Sequence, residues 1–281
     1  MSKATSVTVR AVAVLMFFAA ATSARADEAK PAGAAATSEG YEVHDMKRPQ
    51  PVAVTPVIPA TDQPSKPPSD AVVLFDGTDV SKWKPEKGDG DVKWKNENGT
   101  LVVVPKSGAI ESKDQFGDAQ VHIEWQHPKD IQGKSQGRGN SGIFLMGLYE
   151  LQVLDNYQAE TYPDGMVGGV YGQYPPLVNA ARPPGEWGAY DIIFRAPKYE
   201  GSKVVKPARV TVLLNGVVVQ DNVELLGPTM HKTLTTYPAE HPAKGPIRLQ
   251  DHGHPVKFRN IWVRELKENP VPAVRSAGEG H

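Results

Sequence analysis

An all-β sandwich is the fold class this sequence predicts, and three observations predict it. Short runs of alternating apolar and polar residues recur from Val72 to Val263. Two connections carry Asn-Gly, at Asn98-Gly99 and Asn215-Gly216, the dipeptide that supplies the positive dihedrals of a two-residue hairpin turn. No run with apolar residues at three-and-four spacing extends beyond about two turns. Ten or so short strands with turn signals between them argue a sandwich. A jelly roll with one curved sheet presenting a polar concave face is the preferred architecture. A β-propeller would need an internal repeat, and the sequence shows none.

The chain opens with Lys3 and Arg10, an apolar run over Ala11–Ala21, and the small-x-small pattern Ala24-Arg25-Ala26. Residues 1–26 therefore read as a signal peptide, with export to the periplasm or medium and no stable membrane insertion after cleavage. With no cysteine in the chain, neither a disulfide framework nor a lipoprotein anchor is available. Residues 27–70 are rich in Ala, Pro, Ser and Thr and read as an extended linker, although Val52–Val57 would suit an edge segment against the domain. The domain is expected over 71–267, and a polar tail over 268–281. The 31 basic and 32 acidic residues leave a net charge of −1, with no basic block to favour nucleic acid.

Within the domain the expected strands are Val72–Phe75, Val92–Lys95, Leu101–Val104, Val121–Trp125, Tyr149–Asp155, Tyr190–Phe194, Val210–Leu214, Val217–Val219, Ile247–Asp251 and Val256–Val263. In Val121–Trp125, Val121, Ile123 and Trp125 share one face, and His122 and Glu124 share the other. In Tyr149–Asp155, Tyr149, Leu151 and Val153 face the core, leaving Glu150 and Gln152 opposite. In Ile247–Asp251, Ile247 and Leu249 face inward, leaving Arg248, Gln250 and then His252 outward. If these strands share a sheet, one face collects carboxylates, amides, a guanidinium and an imidazole, a surface suited to polyols. A carboxylate flanked by apolar residues is also where a shifted pKa is expected.

Between Asn156 and Trp187 lies a Gly- and Pro-rich segment carrying Tyr157, Tyr162, Tyr171 and Tyr174. A loop this long suggests function, and tyrosines suit sugar rings. Gly137-Arg138-Gly139-Asn140-Ser141 either presents Arg138 and Asn140 to a ligand or forms only a turn. It is not a nucleotide fingerprint, and Ser141 lacks a nucleophile elbow. Asp251-His252-Gly253-His254 has two readings, a divalent-ion site or a turn in which one histidine bonds backbone. His44, His231, His241 and His281 are expected to be solvent-exposed.

Taken as an ordered set, Leu74-Phe75-Asp76-Gly77 with Trp83, Asn140-Ser141-Gly142-Ile143-Phe144, Tyr149-Glu150-Leu151-Gln152-Val153-Leu154-Asp155, Gly169-Val170-Tyr171-Gly172, Glu186-Trp187, Leu214-Asn215-Gly216, Ile247 to Gly253 and Val256 to Ile261 resemble the DUF1080, or 3-keto-disaccharide hydrolase, domain family. The resemblance covers roughly 71–266 and implies a concanavalin A-like β-sandwich acting on glycosides oxidised at C3. Gly188 stands where the family usually has Asn, Lys198–Pro207 is longer than the common form, and the Pro-rich extension lies outside the pattern. The resemblance implies a base, assigned to His252 or Glu150, and stabilisation of an enolate. Arg138, or one divalent ion held among Glu124, Glu150, His252 and His254, would supply the latter. Asn140, Gln152, Asp155, Tyr171, Trp187, Arg248 and Gln250 would position a carbohydrate substrate. No nucleotide or redox cofactor is expected. Two alternatives stand: a glycosidase pairing Glu124 with Glu150 or Asp155, and a non-catalytic carbohydrate-binding module.

Overall fold

The computed structural model describes residues 40–56 and 63–267. The expected signal peptide, linker residues 27–39 and 57–62, and the tail 268–281 with His281 lie outside the described residues. Among the described residues the strands are, in chain order, β1 (Val72–Phe75), β2 (Trp83–Pro85), β3 (Lys95–Glu97), β4 (Thr100–Val102), β5 (Ile110–Ser112), β6 (Ala119–Gln126), β7 (Ser141–Leu145), β8 (Tyr149–Val153), β9 (Trp187–Arg195), β10 (Lys198–Glu200), β11 (Lys203–Lys206), β12 (Arg209–Leu214), β13 (Val217–Glu224), β14 (Arg248–Leu249) and β15 (Lys257–Glu265). One eight-stranded sheet runs β13-β12-β9-β6-β15-β4-β3, with β1 also on β15. A five-stranded sheet runs β2-β5-β14-β7-β8, and β10 with β11 forms a separate ribbon.

The two larger sheets pack as an antiparallel, jelly-roll type sandwich, and alternation decides what lies between them. Val121, Ile123 and Trp125 of β6 and Tyr190, Ile192 and Phe194 of β9 meet Ile143, Leu145, Tyr149, Leu151 and Val153 of β7 and β8 in one buried cluster. Burial of that apolar area, worth about 25 cal/mol per Å², has to hold the domain together without disulfides. Both Asn-Gly turns form as expected. Asn98 (φ 52°), Gly99 (φ 72°), Asn215 (φ 53°) and Gly216 (φ 82°) all take left-handed backbone, closing β3 on β4 and β12 on β13.

Three expectations need correcting. The strand expected over Val92–Lys95 lies later, at Lys95–Glu97, because the turn fixes which residues can pair. The strand expected over Ile247–Asp251 shrinks to Arg248–Leu249. A register shift between Arg259 and Trp262, with Asn260 at φ 49°, interrupts β15.

A larger correction concerns residues 40–51, expected to be solvated linker. They lie against the domain, while residues 52–54 make the edge contact that the sequence suggested there. Ala53 makes a parallel bridge with Asn179, with Val54 N donating to Asn179 O and Asn179 N to Val52 O. Arg48 is 2 % exposed and reaches Gln173 O and Asp164. Proline disfavours a ladder but not an edge contact, and a single buried guanidinium anchors the rest.

Candidate active site

Cross-strand registry builds the site. Lys84, Glu111, Arg248, Phe144 and Glu150 are successive partners across β2, β5, β14, β7 and β8, and so share the outer face of the five-stranded sheet. One step along, Gly142 pairs with Gln152, and Gln250 N donates to Gly142 O. The missing side chain at Gly142 is what makes room for chemistry. A Cβ there would lie 2.3 Å from Glu150 Oε1 and 3.0 Å from Phe144 Cε2. The Glu150 carboxyl thus rests over bare backbone.

A cavity of about 340 Å³ opens on this face. Its walls include Glu150, Gln152, Asn140, Gln250, Tyr171 and His252, six of the residues singled out from the sequence. Phe144, Thr229 and His231 complete it. β8 is the sheet edge, and the long loop covers it. Tyr171 N donates to Glu150 O, and Gln152 N donates to Gly169 O. That cover buries Glu150 to 5 % and Gln152 to 1 % exposure, although both face away from the core.

The carboxyl of Glu150 receives no hydrogen bond from any described residue. Burial alone pushes its pKa up to about 8. His252 stands exposed at the rim, and desolvation lowers its pKa, which keeps the imidazole neutral near pH 7. The amides are held for use. Gln136 Oε1 accepts from Gln152 Nε2 (2.8 Å) and from Asn140 Nδ2 (3.1 Å), while Gln136 Nε2 donates to Thr161 Oγ1 (2.7 Å). Gln250 Oε1 is buried without a partner, an acceptor suited to a ligand hydroxyl. Opposite Glu150, Tyr171 Oη bonds His231 Nδ1 at 3.2 Å and Tyr162 Oη at 2.8 Å. Burial raises the Tyr171 pKa to about 12, so the phenol keeps its proton.

Six of the expected site residues do not line this cavity, His254 among them. Glu124 belongs to the eight-stranded sheet. Its carboxylate accepts from Arg259 Nε (2.6 Å) and Asn260 Nδ2 (2.7 Å), and His122 Nε2 lies 3.4 Å away. Burial would raise its pKa, but these partners outweigh that and lower it. His122 also reaches Asp191 at 2.7 Å. Burial opposes its charge, yet the two carboxylates raise its pKa to about 9. Trp187 lies on the same sheet beneath the Arg259 guanidinium, 3.9 Å from the ring centroid. It lines a separate groove of about 580 Å³ there. Arg138 forms an ion pair with buried Asp155 (Nε to Oδ2, 2.7 Å), although neither of those two atoms makes a hydrogen bond. Arg248 shares the outer face but is held by Glu111 (2.8 Å) and Glu86 (3.3 Å). For Glu124 and Arg248 the physical reason is that alternation gives the face of a strand, but not which of two sheets owns it or which neighbour claims the charge.

The residues expected to share an ion do not fit one. Glu150 and His252 line the cavity, Glu124 is on the other sheet, and His254 Nε2 bonds Gly137 O at 3.1 Å. Gly253 N donates to Asp251 Oδ1, so the turn reading of this stretch holds. Among the described residues no three His, Asp or Glu groups gather as a metal site. Ser141 is fully buried and donates to Gln250 O, a structural bond. Sequence reasoning missed Gln136, Thr229, His231 and His44. His231 is exposed as expected yet lines the cavity. His44 is half-buried, and its ring stacks on Tyr162 at 4.0 Å.

The chain is similar to known proteins in sequence and fold. The sequence profile of the 3-keto-alpha-glucoside-1,2-lyase-like domain matches residues 70–264. A 3-keto-disaccharide hydrolase of Bacteroides thetaiotaomicron is 26 % identical over 242 residues, covering 69 % of this chain and 78 % of that protein. The crystal structure of a candidate glycosyl hydrolase from Parabacteroides distasonis is 45 % identical. It superposes with a TM-score of 0.69 over 83 % of this chain and 100 % of that one. A second such structure from the same organism, at 22 % identity and TM-score 0.52, covers 70 % of this chain and 94 % of that one and shares the fold.

Proposed function

The chain belongs to the 3-keto-alpha-glucoside-1,2-lyase-like domain family, and we propose that it cleaves glycosides carrying a ketone at C3 of the sugar. One observation carries this reading. The cavity wall holds a single carboxyl, Glu150, buried, without a hydrogen-bond partner among the described residues and with its pKa raised to about 8. A base poised near neutral pH suits abstraction of a carbon acid's proton. A ketone at C3 acidifies the hydrogen at C2. The Glu150 carboxylate takes that proton, and the electron pair forms the C1–C2 double bond as the C1–O bond breaks. The departing oxygen takes a proton from the Tyr171–His231 pair. Water then adds at C1, its hydroxyl bonding to C1 and its remaining proton restoring the Tyr171–His231 pair, and Glu150 returns its proton to C2, so one water is consumed overall.

The developing charge on the ketone oxygen falls to hydrogen-bond donors, the Tyr171 hydroxyl and the imidazoles of His231 and His252. Asn140, Gln152 and Gln250 orient hydroxyls. The two-carboxylate alternative lacks its second member, since Glu124 lies on the other sheet and Asp155 is paired with Arg138. Incubation with a 3-keto disaccharide and with its unoxidised parent tests the proposal. Release of free sugars from the oxidised substrate alone is expected. Cleavage of both would favour a direct glycosidase, and binding without turnover a carbohydrate-binding module.

A further inference from the structure

The family match begins at residue 70, yet a piece of chain well before it reaches the site. Residues 41–48 form a double turn pinned at two points. His44 N donates to Asp164 Oδ2 (3.0 Å), and the buried Arg48 guanidinium lies 3.8 Å from the same carboxylate and reaches Gln173 O. Asp164 and Gln173 bracket Tyr171 in the loop that covers β8, and Gly172 N in turn donates to Asp164 O. The turn therefore grips the cover loop on both sides of the tyrosine that faces Glu150.

What the turn delivers is one flat ring. His44 stacks on Tyr162 (4.0 Å, 18°), meets Tyr171 edge-on (5.0 Å, 61°) and stands 5.5 Å from His231. It thus touches all three members of the hydrogen-bonded row Tyr162–Tyr171–His231. Its backbone is held at φ 65°, in the left-handed region that side chains other than glycine seldom occupy. Both ring nitrogens are buried without a hydrogen-bond partner. Left-handed backbone and unpaired polar nitrogens both cost folding free energy, so stability does not explain the arrangement. Desolvation, then His231 and Lys232, lower its pKa to about 4, so the ring brings no charge to the phenols beside it.

We infer that His44 is a positioning residue for the cleavage site, a flat ring that fixes the Tyr171–His231 pair opposite Glu150, and that the segment before the family-matched domain is part of the working enzyme. The inference rests on the reaction proposed above. It predicts that orientation, rather than substrate affinity, is lost when the ring is removed.

The test uses the full chain with His44→Ala and His44→Phe, each first shown to be folded by circular dichroism. On a 3-keto disaccharide, His44→Ala is expected to lower kcat by about tenfold to a hundredfold with KM within about twofold. His44→Phe keeps a flat uncharged ring and is expected to recover kcat to within about threefold of the parent. In a Tyr171→Phe background the Ala substitution should cost less than about twofold, because the two residues act as a unit. Amide hydrogen exchange on the unliganded protein needs no substrate. His44→Ala should speed exchange at Tyr171 and Gly172 about tenfold or more. Unchanged kcat in His44→Ala, a Phe variant as impaired as Ala, or unchanged exchange at Tyr171 and Gly172 would each overturn the inference. A parent protein inert towards every 3-keto glycoside would instead overturn the proposed reaction, and exchange would still decide the role of the turn.

Discussion

Replacing Glu150 with Gln removes a charge while keeping the shape of the side chain, and it reads out both stability and catalysis. The folded carboxyl has a pKa of about 8, against 4.5 for the unperturbed group. Below pH 4.5 the side chain is protonated in both folded and unfolded chains, and Glu and Gln are nearly equivalent. Between pH 4.5 and 8 the unfolded chain releases a proton that the folded chain retains. Stability of the parent therefore falls as pH rises, by up to 1.36 kcal/mol per pH unit. Above pH 8 the full cost remains, on the order of 5 kcal/mol for a shift of this size. That is a large part of the total stability of a domain. Urea unfolding of both proteins at pH 4.5, 7 and 9 is the assay. The Gln variant should match the parent at the lowest pH and be more stable by several kcal/mol at the highest. Taking the difference between variants cancels the contributions of buried histidines such as His127, whose pKa burial lowers to about 3. The same variant should lose about 10² to 10⁴ in kcat if the carboxylate is the base. A stability difference that does not change with pH, or a Gln variant with parental turnover, would refute the reasoning.

Gly142→Ala places a methyl group 2.3 Å from Glu150 Oε1. It should displace the carboxyl and cut kcat at least about tenfold while circular dichroism and oligomeric behaviour stay parental. Glu124→Gln should do the reverse. It weakens a buried ion pair and should cost about 1–3 kcal/mol in urea unfolding, with kcat on a 3-keto disaccharide unchanged; lost turnover in a folded variant would return Glu124 to the site. Export is proposed from Ala24-Arg25-Ala26, and mass spectrometry of the protein from the periplasm or medium should find a chain beginning near Asp27. An intact Met1 there would remove the signal-peptide reading.

The sequence disclosed the sandwich because alternation and the Asn-Gly turns act locally, and local forces leave local marks. Glu150, Gln152, Gln250 and His252 were legible for the same reason, since each faces away from a visible apolar row. Glu124 obeyed the same rule and misled, because its row belongs to the opposite sheet, where Arg259 and Asn260 claim it. No local signal separates those two cases; strand order does, and strand order is set by pairings far apart in the chain. Arg138 and Arg248 look like ligand-binding cations in the sequence, but each has a carboxylate neighbour that only tertiary contact reveals. Gln136 and His44 carried no pattern at all. One is a hub of amide bonds, and the other arrives from a proline-rich stretch whose composition suggested solvent. Gly142 was visible as a residue but not as a cradle, since its value lies in what the neighbouring strand puts over it.

The covering loop is stitched to β8 by its main chain, through Tyr171 N to Glu150 O and Gln152 N to Gly169 O. Those two bonds are indifferent to side-chain identity. The alignment of the Glu150 carboxyl and the Tyr171 phenol is therefore inherited from backbone ladder geometry, whatever residues line the rest of the chamber. A designer wishing to retarget the enzyme would have freedom at the loop's outer bend near 158–160, where Gln158 and Glu160 are exposed. The three residues Gly169-Val170-Tyr171 would have to travel as one cassette with β8, because a slip of one position there would turn the phenol away from Glu150.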